Sequence, residues 1–132
     1  MDTGIQAAPV SKKMLWAGWI VSALPVLMLI ASGVGKLMKP PVVLEGFAHL
    51  GYPEHLILGL GIVELGCTLL YVLPQTAVLG AILLTGYFGG ATATHLRIGE
   101  WAFISPVVLG MLAWLGLYLR DVRLRALVPL RN

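Results

Sequence analysis

One carboxyl group stands inside the long apolar runs of this sequence, that of Glu64. Burial of a carboxyl in apolar surroundings favours the neutral acid unless a cation reaches it. Within a membrane, such a residue faces the interior of a helix bundle. Glu64 therefore predicts a proton-handling or ligand-binding site or, alternatively, a hydrogen bond that only joins two helices.

Further polar residues occur at intervals that could bring them to Glu64. In antiparallel helices, Thr85 and Gly110 lie at the depth of Glu64, so a protonated Glu64 could donate a hydrogen bond to Thr85 across the gap at Gly110. Thr92 and His95 share a broad helix face with Thr85. His95 could exchange protons or hydrogen-bond a carbonyl, although a histidine at a helix end is also an ordinary interface residue. Its depth differs from that of Glu64 by roughly a dozen Å, so a water or ligand would have to bridge the two.

Lys36 follows a GVG segment at the end of the first apolar run. Its long stem lets the amine reach the lipid headgroups. Alternatively, Gly33 and Gly35 admit a neighbouring helix closely, and Lys36 then turns inward toward Glu64 or His95. Both interpretations remain open at the level of the sequence.

The remaining candidates lie at the edge of this site or are expected to be inert. Arg97 and Glu100 follow the third apolar run, and we expect them to form a loop ion pair of small energetic value at the cavity mouth, where Arg97 could guide an anionic group. Cys67 is the only cysteine; we expect it to be buried and unreactive. A single cysteine and three scattered histidines match no metal-binding pattern, so no metal site is expected.

The composition places these residues in a membrane protein. Hydrophobic residues make up 58% of the 132 and charged residues 11%, whereas about a quarter of the residues in soluble domains are charged. A bilayer requires about 20 helical residues, and four apolar runs of this size occur at 14–35, 55–73, 76–94 and 101–119. Each must form a helix, because lipid offers no partner to backbone groups. The first run could also be read as a signal peptide, but it exceeds the usual apolar length of one.

The sequence thus predicts an all-α membrane protein, a single domain over residues 1–132 that forms a four-transmembrane-helix bundle. Residues 40–51 predict a short interfacial helix, because Val43, Phe47 and Leu50 recur at helical spacing. Six Lys and Arg collect at the end of the bundle that carries the termini and the basic tail 120–132, against three at the other end. The positive-inside rule then places both termini in the cytoplasm. Nucleic-acid binding is not expected.

The chain resembles the DoxX-like family of small four-helix bacterial membrane proteins in four ordered segments, SGVGKLMKPP, FAHLGYPEHL, GLGIVELGCTLLYVLPQT and GATATHLRIGE. The resemblance covers about residues 30–101. It implies a four-helix membrane bundle and a bacterial plasma (inner) membrane location, with Lys36, Glu64 and His95 at the characteristic polar positions. Members of the wider DoxX group look like partners or subunits of membrane-associated redox systems, including thiosulfate and quinone chemistry.

Three functions are consistent with these observations. The first is an accessory or anchoring subunit of a membrane-associated redox system, bound to an oxidoreductase and more simply without catalytic activity of its own. The second is a binding protein for a quinone-like small molecule, with a polar site lined by Lys36, Glu64, Thr85, Thr92 and His95. The third and weakest is proton or small-solute transport. Gly86 and Gly90 form a GxxxG pair, whose default role is packing within the bundle and whose alternative is a homo-oligomer contact.

Overall fold

Four helices are long and apolar enough to cross a membrane, and they confirm the predicted architecture. The structure is a computed structural model and describes residues 11–127. The spanning helices are α1 (Lys12–Met38), α3 (His55–Val72), α4 (Ala77–Arg97) and α5 (Ile104–Arg120), the last preceded by a 3₁₀ turn (Trp101–Phe103). Two short helices complete the described chain, α2 (Pro41–Leu50) and α6 (Val122–Leu127). The part of the basic tail beyond residue 127, with Arg131, lies outside the described residues.

Local sequence signals set the ends of α1 and α2. Ser11 precedes α1, and its hydroxyl accepts a hydrogen bond from the backbone of Met14, as an N-cap residue does. Lys39 ends α1 in the left-handed conformation, with a φ of 53°. Two prolines follow, and α2 begins at Pro41, where the missing N–H costs the helix no hydrogen bond. Gly51, with a φ of 85°, ends α2 in the left-handed conformation that glycine adopts without strain.

The four spanning helices form a closed ring. Helix α1 packs along α5 and α3, and α4 packs along the same two neighbours. We call the end of the bundle at Ser11 and Asp121 the terminal end, and the opposite end, where α2 lies, the α2 end. The buried apolar core occupies mainly the terminal half of the ring; its residues are Leu29, Cys67, Tyr71, Ala77, Ala81, Leu84, Phe88, Ala113, Leu117 and Leu124.

Polar side chains at the terminal end are engaged within the bundle. The hydroxyl of Tyr71 lies 3.1 Å from that of Ser22 and donates a hydrogen bond to the carbonyl of Ala113. Arg120 donates to the carbonyl of Tyr71, and its guanidinium lies 4.1 Å from the centre of the Trp19 ring. These contacts tie α1, α3 and α5 together, because each joins residues of different helices.

Close helix crossings occur at glycines, but not at the pair that the sequence favours. A Cβ on Gly116 would overlap the side chain of Ser22 and lie 2.9 Å from its backbone nitrogen, and a Cβ on Gly18 would lie 2.9 Å from the carbonyl of Gly116. In contrast, a Cβ on Gly86 or Gly90 would meet no atom within 4 Å in the described chain. The prediction that these two glycines pack within the bundle is therefore wrong; both line a cavity instead.

We expect Gly116→Ala to destabilise the bundle by about 1–3 kcal/mol, because the added methyl group overpacks the crossing of α1 with α5. Gly110→Ala is the matched control in the same helix, since its Cβ would make an ordinary contact with Phe88 at 3.5 Å. Thermal unfolding in detergent, followed by circular dichroism, measures both. Equal midpoints for the two variants would contradict this close crossing.

Candidate functional site

Lys36 turns into the bundle and forms an ion pair with Glu64. The ammonium Nζ of Lys36 lies 2.7 Å from Oε2 of Glu64, and the two side chains are 10% and 3% exposed. The crossing of α1 with α3 makes this geometry accessible, because a Cβ on Gly61 would lie 2.8 Å from the Cβ of Lys36 and 3.1 Å from the carbonyl of Gly33. Glycine at these positions lets the lysine stem pass between the helices. In the structure Lys36 therefore turns inward to Glu64 and does not reach outward to the lipid headgroups.

Two further hydroxyl groups converge on the same carboxylate oxygen. Ser32 donates to Oε2 of Glu64 at 3.3 Å, and Tyr87 donates to it at 3.1 Å. Lys36 also donates to Ser32 at 2.6 Å. Hydrogen bonds to an ionised group are stronger than neutral ones, and several of them together compensate the burial of the charge. The ammonium of Lys36 is thus the cation that reaches Glu64.

The ion pair borders a cavity of about 590 Å³ between the four spanning helices at the α2 end. We call it the central cavity. Its volume falls within the range of roughly 300–1,000 Å³ that is typical of small-molecule sites. Most of its walls are apolar, and a few polar groups converge on it. The polar and aromatic residues that line it are Ser32, Lys36, Phe47, Tyr52, Glu64, Tyr87, Phe88, Thr94, His95 and Ser105.

Three of the five residues proposed from the sequence line this cavity, and two do not. Lys36, Glu64 and His95 are part of its wall. Thr85 and Thr92 line a separate surface groove between α4 and α5. Thr85 donates to the carbonyl of Ala81 and accepts from the indole of Trp114, so the expected hydrogen bond from Glu64 to Thr85 is wrong.

The error has a geometric cause. Helical spacing shows which residues share a face, but it does not show which face of α4 points toward Glu64. Tyr87 lies about 200° around the helix from Thr85 and is the residue that faces the carboxylate. Thr92 satisfies its hydroxyl on its own helix, at the carbonyl of Phe88.

The residues that the sequence reasoning missed are mainly hydroxyl and aromatic side chains. The sequence could have indicated Tyr87, because a tyrosine in an apolar span needs a partner for its hydroxyl. It could also have indicated Ser32, because this residue lies one helical turn before Lys36. Phe47, whose ring centre lies 5.6 Å from the ammonium of Lys36, is contributed by α2. The local sequence pattern indicates that α2 has an apolar face, but it does not indicate that this face covers the site.

A second polar cluster lies at the mouth of the central cavity. Glu100 accepts hydrogen bonds from His49 of α2 and, at 3.1 Å, from Nδ1 of His95. These bonds, that to His49 above all, hold the pKa of Glu100 below its usual range, because they stabilise the charged carboxylate. The interaction is therefore complete above the usual pKa of a glutamate and is lost as the pH falls through the lowered value.

Arg97 does not form the expected pair with Glu100. Its guanidinium donates instead to the backbone carbonyl of Leu50 at the end of α2. The loop pairing was wrong because the carboxylate of Glu100 is taken by two histidines, one of them 51 residues away in the chain. Within residues 11–127, no group of three or more His, Cys, Asp or Glu is arranged to hold a metal ion.

The fold and this site define a class of protein, an integral membrane protein whose four-helix bundle carries a buried ion pair beside a cavity between its helices. The profile of the DoxX-like family matches residues 20–116, which include both partners of the ion pair. The chain belongs to the DoxX-like family. No curated protein and no solved structure matches it.

We expect Lys36→Met or Glu64→Gln alone to lower the free energy of unfolding by about 3–5 kcal/mol, since each leaves buried polar groups without their partner. The double variant is expected to lose less than the sum of the two, because neither charge then remains unpaired. Denaturation in mixed detergent micelles measures the four proteins of the cycle.

Lys13→Met is the matched control for this cycle. Lys13 is an exposed lysine of the same helix, and its replacement is expected to change the stability by less than about 0.5 kcal/mol. Strict additivity of Lys36→Met and Glu64→Gln would show that the two side chains are not coupled.

Proposed function

We propose that this protein binds a small apolar molecule with hydrogen-bonding carbonyl groups, of which a quinone is the type, in the central cavity. The observation that carries the proposal is that a buried ion pair borders a cavity of about 590 Å³ between the spanning helices. Lys36 and Glu64 both form part of the wall of that cavity, so a molecule bound in it would lie against the pair.

The polar side of the cavity has hydrogen-bonding capacity to offer a ligand. Lysine has three N–H donors, and among the described residues Ser32 and Glu64 use two of those of Lys36. The third is available to a carbonyl oxygen. Glu64 accepts its side-chain bonds from described residues through Oε2, which leaves Oε1 available to a ligand donor.

The apolar side of the cavity suits a ring or a hydrocarbon tail. Met28 and Leu29 of α1, Leu60 of α3, Phe88 of α4 and Leu109 of α5 line it. An apolar slot with a few convergent polar groups is the usual form of a small-molecule site, since the walls supply affinity and the polar groups set orientation. These groups bind and orient the ligand, and the proposal assigns them no chemical step.

An accessory role beside a membrane oxidoreductase is the second candidate. A groove of about 740 Å³ between α4 and α5 supports it, since the groove is lined by small residues such as Gly89, Ala93 and Gly110. Small residues let a partner helix approach closely in a membrane. A protein that holds a quinone-like molecule and docks on an oxidoreductase would combine both candidates.

The charges of the two ends support a cytoplasmic location for both termini in a bacterial plasma membrane. Lys12, Lys13, Arg120, Arg123 and Arg125 lie at the terminal end. At the α2 end, Lys36 is buried against Glu64 and contributes no exposed charge, which leaves Lys39 and Arg97 there. Among the described residues, five Lys and Arg at the terminal end thus compare with two unburied ones at the α2 end, which is the kind of asymmetry on which the positive-inside rule operates.

We expect Lys36→Met and Glu64→Gln each to weaken binding of a short-chain quinone about tenfold, because each removes a group that binds or positions the carbonyl. Thr92→Val is the matched control, since Thr92 faces the α4–α5 groove; it should leave the affinity unchanged. Titration of the purified protein in detergent, followed by quenching of tryptophan fluorescence, measures the binding. Equal affinities of all four proteins would contradict the proposed site.

For the second candidate, we expect an oxidoreductase to co-purify in fixed stoichiometry from the native membrane under mild detergent. Ala93→Leu fills the groove between α4 and α5 and should release that partner. Ala91→Leu, which projects into the central cavity instead, is the control and should retain it. Recovery of the protein alone, or only with a second copy of itself, would count against an oxidoreductase partner.

A further inference from the structure

We infer that α2 is a hinged lid over the mouth of the central cavity, that Glu100 latches it shut through His49 and His95, and that ligands enter when this latch opens. The inference rests on the proposed function only for the identity of the ligand that passes through the mouth. The lid itself is defined by contacts among the described residues.

Helix α2 is attached to the bundle more weakly than any spanning helix. None of its ten residues is fully buried, and it does not take part in the extensive packing that joins α1, α3, α4 and α5 across residues 11–127. Elements with few buried apolar contacts open at low free-energy cost. The helix can therefore leave its position without disrupting the core of the terminal half.

Three polar contacts fasten α2 and the residue pair after it to α4 and the turn that follows. His49 bonds to Glu100, the guanidinium of Arg97 donates to the carbonyl of Leu50, and the hydroxyl of Tyr52 lies 2.8 Å from that of Thr94. The first contact is the only one of the three that joins two ionisable side chains. Glu100 also holds His95, so one carboxylate bridges α2 and α4.

The inner face of α2 covers the site. Phe47 and Leu50 of α2 and Tyr52 just beyond it line the central cavity, and Phe47 lies over the ammonium of Lys36. A smaller adjoining cavity of about 350 Å³ lies between α1, α2 and the end of α4 and shares Lys36, His95 and Glu100 with this region. An outward swing of α2 would widen the opening of both cavities to the surroundings.

A residue in the left-handed backbone conformation marks each end of α2. Lys39 has a φ of 53° and Gly51 a φ of 85°. Hinges are a few residues at the ends of elements that absorb changes in backbone angles. Pro40 and Pro41 keep the start of α2 preformed, so the helix would move as one unit between the two points.

The groups around the latch come from each neighbouring element. Helix α2 contributes His49 and the exposed Glu45, α4 contributes His95 and Arg97, and α1 contributes Lys36, which lines the smaller cavity beside Glu100. Glu100 is the only carboxylate among them that bonds to both α2 and α4. Removal of its charge is therefore the most selective way to release the lid.

The test measures how fast a water-soluble methanethiosulfonate reagent labels a cysteine placed in the central cavity. Ala91 lines that cavity and Ala93 lines the α4–α5 groove, so Ala91→Cys is the reporter and Ala93→Cys the reference, each in a Cys67→Ala background. We expect Glu100→Gln to accelerate labelling at position 91 about tenfold and to leave position 93 unchanged. His49→Ala removes the other half of the latch and should have the same effect.

Glu45→Gln is the matched control. Glu45 is an exposed carboxylate of α2 and accepts no hydrogen bond from the other described side chains, so its replacement should change neither rate. Unchanged labelling at position 91 in both Glu100→Gln and His49→Ala would overturn the inference. Equal acceleration at positions 91 and 93 would also overturn it, because it would report loosening of the whole bundle. Labelling needs no ligand, so the lid inference can fail while the quinone-binding proposal holds, and the reverse is also true.

Discussion

The buried ion pair between Lys36 and Glu64 is the constraint on which the rest of this structure depends. Two charges inside an apolar bundle are tolerated only when they lie close together and their remaining polar atoms find partners. Lys36 and Glu64 can lie close together because α1 and α3 cross closely at Gly33 and Gly61. The partners come from Ser32 one turn before the lysine and from Tyr87 on α4. One electrostatic requirement thus fixes the relation of three of the four spanning helices.

The bundle is divided into two halves with different tasks. In the terminal half, small residues and apolar side chains close the interior, and the hydroxyl of Tyr71 is satisfied inside the protein. In the α2 half, the helices line a cavity, and Gly86 and Gly90 of α4 face that space instead of a neighbouring helix. The packed half can hold the geometry of the ion pair while the other half keeps space for a ligand. The weakly attached α2 covers the mouth of that cavity.

Much of the architecture was predictable because apolar length and punctuation are local properties of the sequence. The four spans, the short helix after the first and the importance of Glu64 followed from them, and the inward turn of Lys36 was one of two alternatives. The rotation of α4 was not predictable, because Thr85 and Tyr87 differ only in which side of one helix they occupy. The latch was missed because His49 and Glu100 meet only through the tertiary fold. Gly86 and Gly90 show that a small-residue motif does not specify whether it meets a helix or a cavity.

The central claim, that the ion pair forms part of a ligand site, is tested most directly by identifying the small molecules that co-purify with the protein. Mass spectrometry of organic extracts should be compared between the unaltered protein and the double variant Lys36→Met/Glu64→Gln, both purified from the same membranes in the same detergent. The account predicts that a quinone-like molecule with carbonyl groups is enriched in the first extract and lost from the second. Identical extracts, with membrane lipids in the same proportions and no such molecule in either, would contradict it.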